Sequence, residues 1–418
     1  MSYGRSFSMQ PLPPLTGLAT IARMAFEGKD FAPLVFGLQA RLAADANDAA
    51  ALLDLSTIEQ IRGNRENGIA LQAAALSRQQ HYTHYPATPA RDRIRLLAVM
   101  APGDFMANTP LQFLLEESST VLDVLYICPD VEFPASLPDC DLVFVAVAES
   151  DDNRDLLRRV GEVALSPPRP MVNAPHNIAR LTRDGAWQIL HEAPGISYPV
   201  NLRCDRSTLV SDLPRAFTQE TPLGTITYPL IVRPLDSHAG AGLAKIEDKF
   251  DLADYLSTQS AEQFYVAPFI DYRSVDGHYR KFRVVLIAGV PWPVHMAISD
   301  HWMIHYLNAD MINNPSNRLE EELFMSRFKV DFARRHAGAF HEIHQRTQLD
   351  YVLLDCAEIG GELLIFEIGT AMIVHSLDPV EVFPYKKQHM LQIFAAFGQM
   401  LDRRRLEAER GPLPGTTR

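Results

Sequence analysis

The chain is poor in cysteine: Cys128, Cys140, Cys204 and Cys356 are the only four in 418 residues, and no two stand at Cys-x-x-Cys spacing. That argues against a disulfide framework and for reduced, core-filling thiols. Long apolar runs are also missing. No stretch is long enough to span a bilayer, and residues 1–28 hold no continuous hydrophobic segment of the secretory type, so a cytoplasmic protein with no membrane partner is expected. Positive charge is in deficit, 39 Lys and Arg against 51 Asp and Glu, for a net charge of −12. A global basic field for nucleic acid is thereby excluded, although a local basic site is not. What is present is 47% hydrophobic and 22% charged residues, enough for two or three domains with substantial cores.

From Leu15 to about Gln80 alanine and leucine dominate and Pro33 is the only proline. Leu52, Leu55 and Ile58, then Ile69, Ala73 and Leu76, recur at helical spacing. An all-α region over residues 1–85 follows. Two of its amphipathic helices meet at Gly63–Asn64, which resembles one degenerate tetratricopeptide unit; a repeat that recruits a protein partner and a plain helical cap both fit. The stretch 81–92, with Pro86 and Pro89, reads as a linker. Beyond it, apolar runs at 93–103, 119–130 and 139–150 alternate with helical stretches near Leu111–Glu116 and Asn153–Val163, which predicts a parallel sheet flanked by helices over 92–172. Asp104 and Asn108 follow the first run, where open α/β sheets place ligands, or else they cap the next helix.

The stretch Tyr228–Ile246 reads as strand, glycine loop, strand. Gly240 and Gly242 let backbone N–H groups approach an anion, Ser237 and His238 add donors, and Arg233 adds fixed charge; a structural hairpin has the same pattern. Further strands are expected at 263–272, 276–299 and 349–375, the last a hairpin turning at Gly360-Gly361. Arg280, Lys281 and Arg283 crowd one of them, with Lys281 and Arg283 on one face at period two, so an anion or solvent must relieve their repulsion. His295, His301 and His305 lack a Cys or carboxylate at ligand spacing, which argues against zinc. The polar stretch 299–324, with Asn313, Asn314, Asn317 and Arg318, reads as a lid, 320–348 as one helix, and the C-terminal helix gives way to a tail at 404–418.

This ordered series, from the Asn173-Ala174-Pro175 turn to about Met400, resembles the ATP-grasp superfamily and, more narrowly, the RimK-like carboxylate–amine ligases. The resemblance implies an α/β fold: α+β ATP-grasp halves over 173–403, preceded by a parallel-sheet pre-ATP-grasp domain at 92–172 and the N-terminal all-α region. It implies ATP and Mg2+ as cofactors. Arg183 and Arg233 would face the phosphates with the glycine loop, and Glu262, Val266 and Phe269 would form the hinge at the adenine. Asp355 and Glu367, opposed across their hairpin, would hold magnesium. Arg280, Lys281 and Arg283 would take the γ-phosphate or an acyl phosphate, and His295 would stand on the substrate side. The implied reaction phosphorylates a substrate carboxylate and transfers the acyl group to an amine, with a thiol or phosphate acceptor equally compatible.

Three departures stand out. Gly185 replaces a lysine that many members carry after the Arg-Asp pair, Arg233 replaces another, and Gly369 replaces the asparagine of a Glu-x-Asn metal motif. They leave open a catalytically impaired scaffold that binds a partner through its N-terminal helices. If Gly369 merely leaves a gap, a Gly369→Asn variant should keep turnover at lower magnesium, whereas Glu367→Gln should abolish it.

Overall fold

The computed structural model describes residues 15–86, 93–129, 131, 137–162, 169–211, 227–235, 237 and 240–410. His238 and residues 87–92 and 411–418, which figure in the expectations above, lie outside the described residues.

The N-terminal region forms helices Leu18–Phe26, Ala32–Ala44, Ala49–Ile61 and Arg65–Leu76. The third starts where Asp48 accepts from the Ala51 N–H at 2.9 Å, and the third and fourth are separated by a turn at Gly63, whose φ of 84° suits glycine. They pack so closely that a Cβ on Gly68 would lie 2.4 Å from Gln60 Cγ. The helices do not stand free. Asp54 accepts from the Thr16 and Gly17 amides, Gln72 exchanges two hydrogen bonds with the Gly103 backbone, and Arg65 pairs with Asp104 at 2.9 Å.

The first sheet is ordered β1 (His81–His84), β3 (Val121–Tyr126), β2 (Arg95–Met100), β4 (Leu142–Val145), β5 (Met171–Val172). Strands β2 to β5 are parallel and apolar because both faces are covered. Strand β1 corrects the linker reading. Its four residues pair antiparallel with β3 because Tyr82 enters the core while His81 and Thr83 hydrogen-bond the buried Asp123, at 3.0 and 2.6 Å, a carboxylate also held by Arg95. Asp104 and Asn108 hold their own loop, Asp104 accepting from the Met106 amide and Asn108 bridging the Ala101 backbone.

Two more sheets follow. One is β7 (Leu202–Asp205), β10 (Gln263–Pro268), β8 (Leu230–Pro234), β9 (Ala244–Ile246); the other is β12 (Val290–Ser299), β11 (Tyr279–Ile287), β13 (Tyr351–Ile359), β14 (Glu362–Gly369), β6 (Ile196–Ser197). Asn173 ties the first sheet to β13, donating to the Tyr351 carbonyl and accepting from the Asp350 and Tyr351 amides. The C-terminal helix Lys386–Arg410 seals the seam, with Phe397 against Phe144 and Tyr351.

The expected helix over 320–348 is three segments, Pro315–Arg327, Phe332–Arg335 and Ala337–Thr347. Phe324, Phe328 and Phe332 pack on one another and on Phe282, which draws the chain inward where the helix breaks. The expected lid is helical from Pro315, capped by Asn314; Arg318 and Asn317 bond backbone carbonyls. The helix at the C-terminus runs to Arg410, beyond the tail expected from 404, where Arg404 clamps Asp350. Among the described residues, no helix is long and apolar enough to cross a membrane.

Candidate active site

A cavity of about 460 Å³ opens between the second and third sheets. Strand pleating decides which residues reach it. On β11, Lys281 and Arg283 point in, whereas Arg280 points the other way and pairs with Asp276 and Glu320 at 2.7 and 2.5 Å, so it is not part of the basic cluster. On β10, Tyr265 and Ala267 line the cavity with Phe269 just beyond. Val266, fully buried, faces the core, and Glu262 lies exposed at the far end near Arg206. Of the three expected hinge residues, Phe269 alone brings its side chain to the cavity wall. Arg233 and Gly240 line the cavity from the β8–β9 hairpin; Gly242 does not, and a Cβ there would strike Pro234 Cδ at 2.7 Å. Ser237 accepts from Arg233 Nε at 3.0 Å. His295 and His305 line the cavity and His301 does not; among the described residues no three His, Cys, Asp or Glu side chains gather as metal ligands.

Among the described residues the charges form one triad, one pair and one cation without a carboxylate partner. Asp355 is 2% exposed; Arg283 donates to both its oxygens, at 2.7 and 3.0 Å, and Lys281 reaches Oδ2 at 2.7 Å. Burial alone would raise the Asp355 carboxyl, but Arg283 and Lys281 hold it far below the usual range. Arg183 donates to the Phe366 carbonyl and lies 3.2 Å from Glu367 Oε1. Burial opposes the Glu367 charge too, yet Arg183 and other cations keep its carboxyl below the ordinary value. Arg233, 8% exposed, bonds only to Ser237 and has no carboxylate partner among the described residues. Burial, and then Arg183, depress it to about 10. His295, against the Tyr306 ring at 4.6 Å, is driven well below its ordinary value by burial and by Arg283. His305 is lowered by burial and by Lys281.

The two expected magnesium ligands behave differently. Asp355 does not fit a metal: both oxygens are occupied, and two unit charges about 4 Å apart repel by roughly 4 kcal/mol at an effective dielectric of 20, so a divalent ion near Arg283 and Lys281 would meet about twice that from each. Glu367 fits, with one arginine at its edge and 34% of its side chain open.

Sequence reasoning did not single out Glu149. A Cβ on Gly369 would lie 3.1 Å from Glu149 Oε1, so the room expected for an asparagine there is taken. Glu149 keeps some surface, but its Oε2 is buried without a hydrogen-bond partner, and burial lifts its carboxyl to about 8. The available signal was its position just past β4, at the carboxyl edge of a parallel sheet. Gly185 is likewise closed: a Cβ there would lie 2.5 Å from the Arg180 carbonyl, while its amide meets Thr182 Oγ1 at 3.3 Å.

Tyr306 was also missed. Its hydroxyl donates to the fully buried Glu321 at 3.0 Å, and Lys386, over its ring at 4.0 Å, donates to that hydroxyl. Glu321 further accepts from the Met296 amide at 3.0 Å and Tyr385 at 2.6 Å, which fixes β12 and with it His295.

No protein-family model and no curated protein sequence matches the chain. Among solved structures it is similar to a RimK domain ATP-grasp protein from Sphaerobacter thermophilus DSM 20745, with 13% identity, 75% of this chain and 100% of that one covered, and a TM-score of 0.41. It is also similar to a D-alanine–D-alanine ligase from Bacillus anthracis, with 12% identity, 76% and 99% covered, and a TM-score of 0.43. The same ligase complexed with ATP gives 13% identity, 75% and 99% covered, and a TM-score of 0.40.

Proposed function

We propose that the cavity binds ATP and that the protein is an ATP-dependent ligase which activates a carboxylate as an acyl phosphate and joins it to an amine. The observation that carries this reading is a surplus of cations: among the described residues, Arg183, Arg233, Lys281 and Arg283 line one cavity with only Asp355 and Glu367 against them, in a chain of net charge −12. A buried arginine without a carboxylate partner costs free energy that an anionic ligand would return. The apolar walls, Ile231, Ala267, Phe269 and Phe366, suit a nucleobase.

In the reaction the substrate carboxylate oxygen attacks the γ-phosphorus, the bond to the β-phosphate oxygen breaks, and ADP leaves with that electron pair. An amine then attacks the acyl carbon, phosphate leaves, and the ammonium proton passes to solvent. Arg233 and Arg183 orient the phosphates, Lys281 and Arg283 stabilise charge on the transferring group, and the cavity excludes water that would hydrolyse the acyl phosphate. His295, uncharged at neutral pH, presents a ring nitrogen to the substrate side. Magnesium, when bound, would neutralise and orient phosphate oxygens, with Glu367 as a holding acid. The N-terminal helices are proposed to remain docked on the first sheet and to offer their outer face to a protein partner.

A screen for ADP release across paired carboxylates and amines, with mass spectrometry of the product, tests the proposal. An amide with stoichiometric ADP supports it. ATP binding without ADP release for any pair would favour the binding-only scaffold, the reading that the closed position at Gly185 supports.

A further inference from the structure

The face of β14 that carries Glu367 also carries Gly369, two residues on. Gly369 contributes no side chain, and the volume beside it holds the Glu149 carboxylate, with Oε1 and Oε2 at 3.1 and 3.4 Å from where a Cβ would stand. This acid comes from the segment just past β4 of the first sheet. One polar atom is left buried and without a hydrogen-bond partner beside Gly369, Glu149 Oε2. Nearby, Glu367 has a single arginine at its Oε1, whereas Asp355 has every oxygen committed to Arg283 and Lys281. Hard divalent cations take carboxylate oxygens and complete their shells with water and phosphate, so two acids with free oxygens suffice beside a nucleotide.

We propose that Glu149, reaching over from the first sheet, is the second carboxylate of the divalent-cation site together with Glu367, in place of the side chain missing at Gly369, and that Asp355 serves as the countercharge of Arg283 and Lys281. This rests on the ATP-binding reading above. It assigns to a side chain distant in sequence the part that a residue at 369 would play, and a Cβ at 369 would press on that acid at 3.1 Å.

The test is Mn2+ binding followed by electron paramagnetic resonance in the full-length protein with ADP, alongside ADP affinity in EDTA from a fluorescent analogue. Glu149→Gln should weaken Mn2+ at least tenfold while ADP affinity in EDTA stays within threefold of wild type, which also shows that the variant folds. Asp355→Asn, which removes a countercharge and no ligand, should weaken Mn2+ less than Glu149→Gln does. The double variant Glu149→Ala with Gly369→Asn should recover most of the lost affinity, because the asparagine oxygen enters the vacated space. Unchanged Mn2+ affinity in Glu149→Gln, or its loss in Asp355→Asn with Glu149→Gln unaffected, overturns the assignment while leaving the nucleotide reading intact. Absence of ADP binding in wild type, with EDTA or with Mn2+, overturns the nucleotide reading itself, and the cation site falls with it.

Discussion

Replacing Arg233 by methionine should move stability and ligand affinity in opposite directions. The guanidinium is 8% exposed, and burial and Arg183 depress it from 12.5 to about 10. At about 1.4 kcal/mol per pH unit, holding that charge costs the folded protein roughly 3 kcal/mol. Methionine of similar length keeps much of the packing and removes the charge. What is lost is the pair of bonds to Ser237, about 1 kcal/mol each, and Ser237 Oγ keeps its bond to the Pro234 carbonyl at 2.7 Å. The unliganded variant should therefore be more stable than wild type by about 1 kcal/mol. An arginine–phosphate bond contributes about 1.5–3 kcal/mol, so nucleotide affinity should fall roughly ten- to hundredfold. Urea unfolding without ligand and calorimetry with ATP read the two effects separately. A variant that is less stable and binds ATP as wild type does would refute the reasoning and make Arg233 a structural residue.

Other consequences follow from the same geometry. Lys386→Met leaves Glu321 buried with no cation and should cost about 3–5 kcal/mol in denaturant unfolding. Gly68→Ala drives a Cβ to within 2.4 Å of Gln60 Cγ and should destabilise the helical region by about 1–3 kcal/mol, measured as faster proteolysis near residues 60–70. Burial lowers His84 from 6.5 to about 4. The unfolded chain therefore takes up this proton first as pH falls, and the stability His84 contributes is lost between pH 6.5 and about 4 by up to ~1.4 kcal/mol per unit. Subtracting the curve of His84→Gln from that of wild type should show this slope, and parallel curves would contradict it. Deleting residues 1–85 removes β1 and strips His81 and Thr83 from Asp123, so the remainder should unfold at lower denaturant than a chain truncated only through residue 76.

Local periodicity carried much of the site into view. Lys281 and Arg283 share a face because a strand alternates, and the same rule, applied one residue earlier, sends Arg280 outward to Asp276 and Glu320. The β13–β14 hairpin was legible from Gly360-Gly361, yet plain counting from that turn pairs Asp355 with residue 366. A bulge beside Asp355 moves the register by one and puts Glu367 opposite it, which no local pattern announced. Strand β1 was hidden by the prolines after it, since its reason for pairing is a buried aspartate forty residues on. Glu149 was illegible for the same cause. Its place beside Gly369 is made where the first and third sheets meet, and a single sequence shows neither the gap nor the side chain that fills it.

The central claim is that this cavity is built for a nucleotide's phosphates, and calorimetric titration of the full-length protein with ATP and magnesium tests it most directly. The account predicts one site per chain, with heat that weakens in EDTA and falls at least tenfold in affinity in Arg233→Met. No saturable heat up to millimolar nucleotide, in either condition, would contradict it.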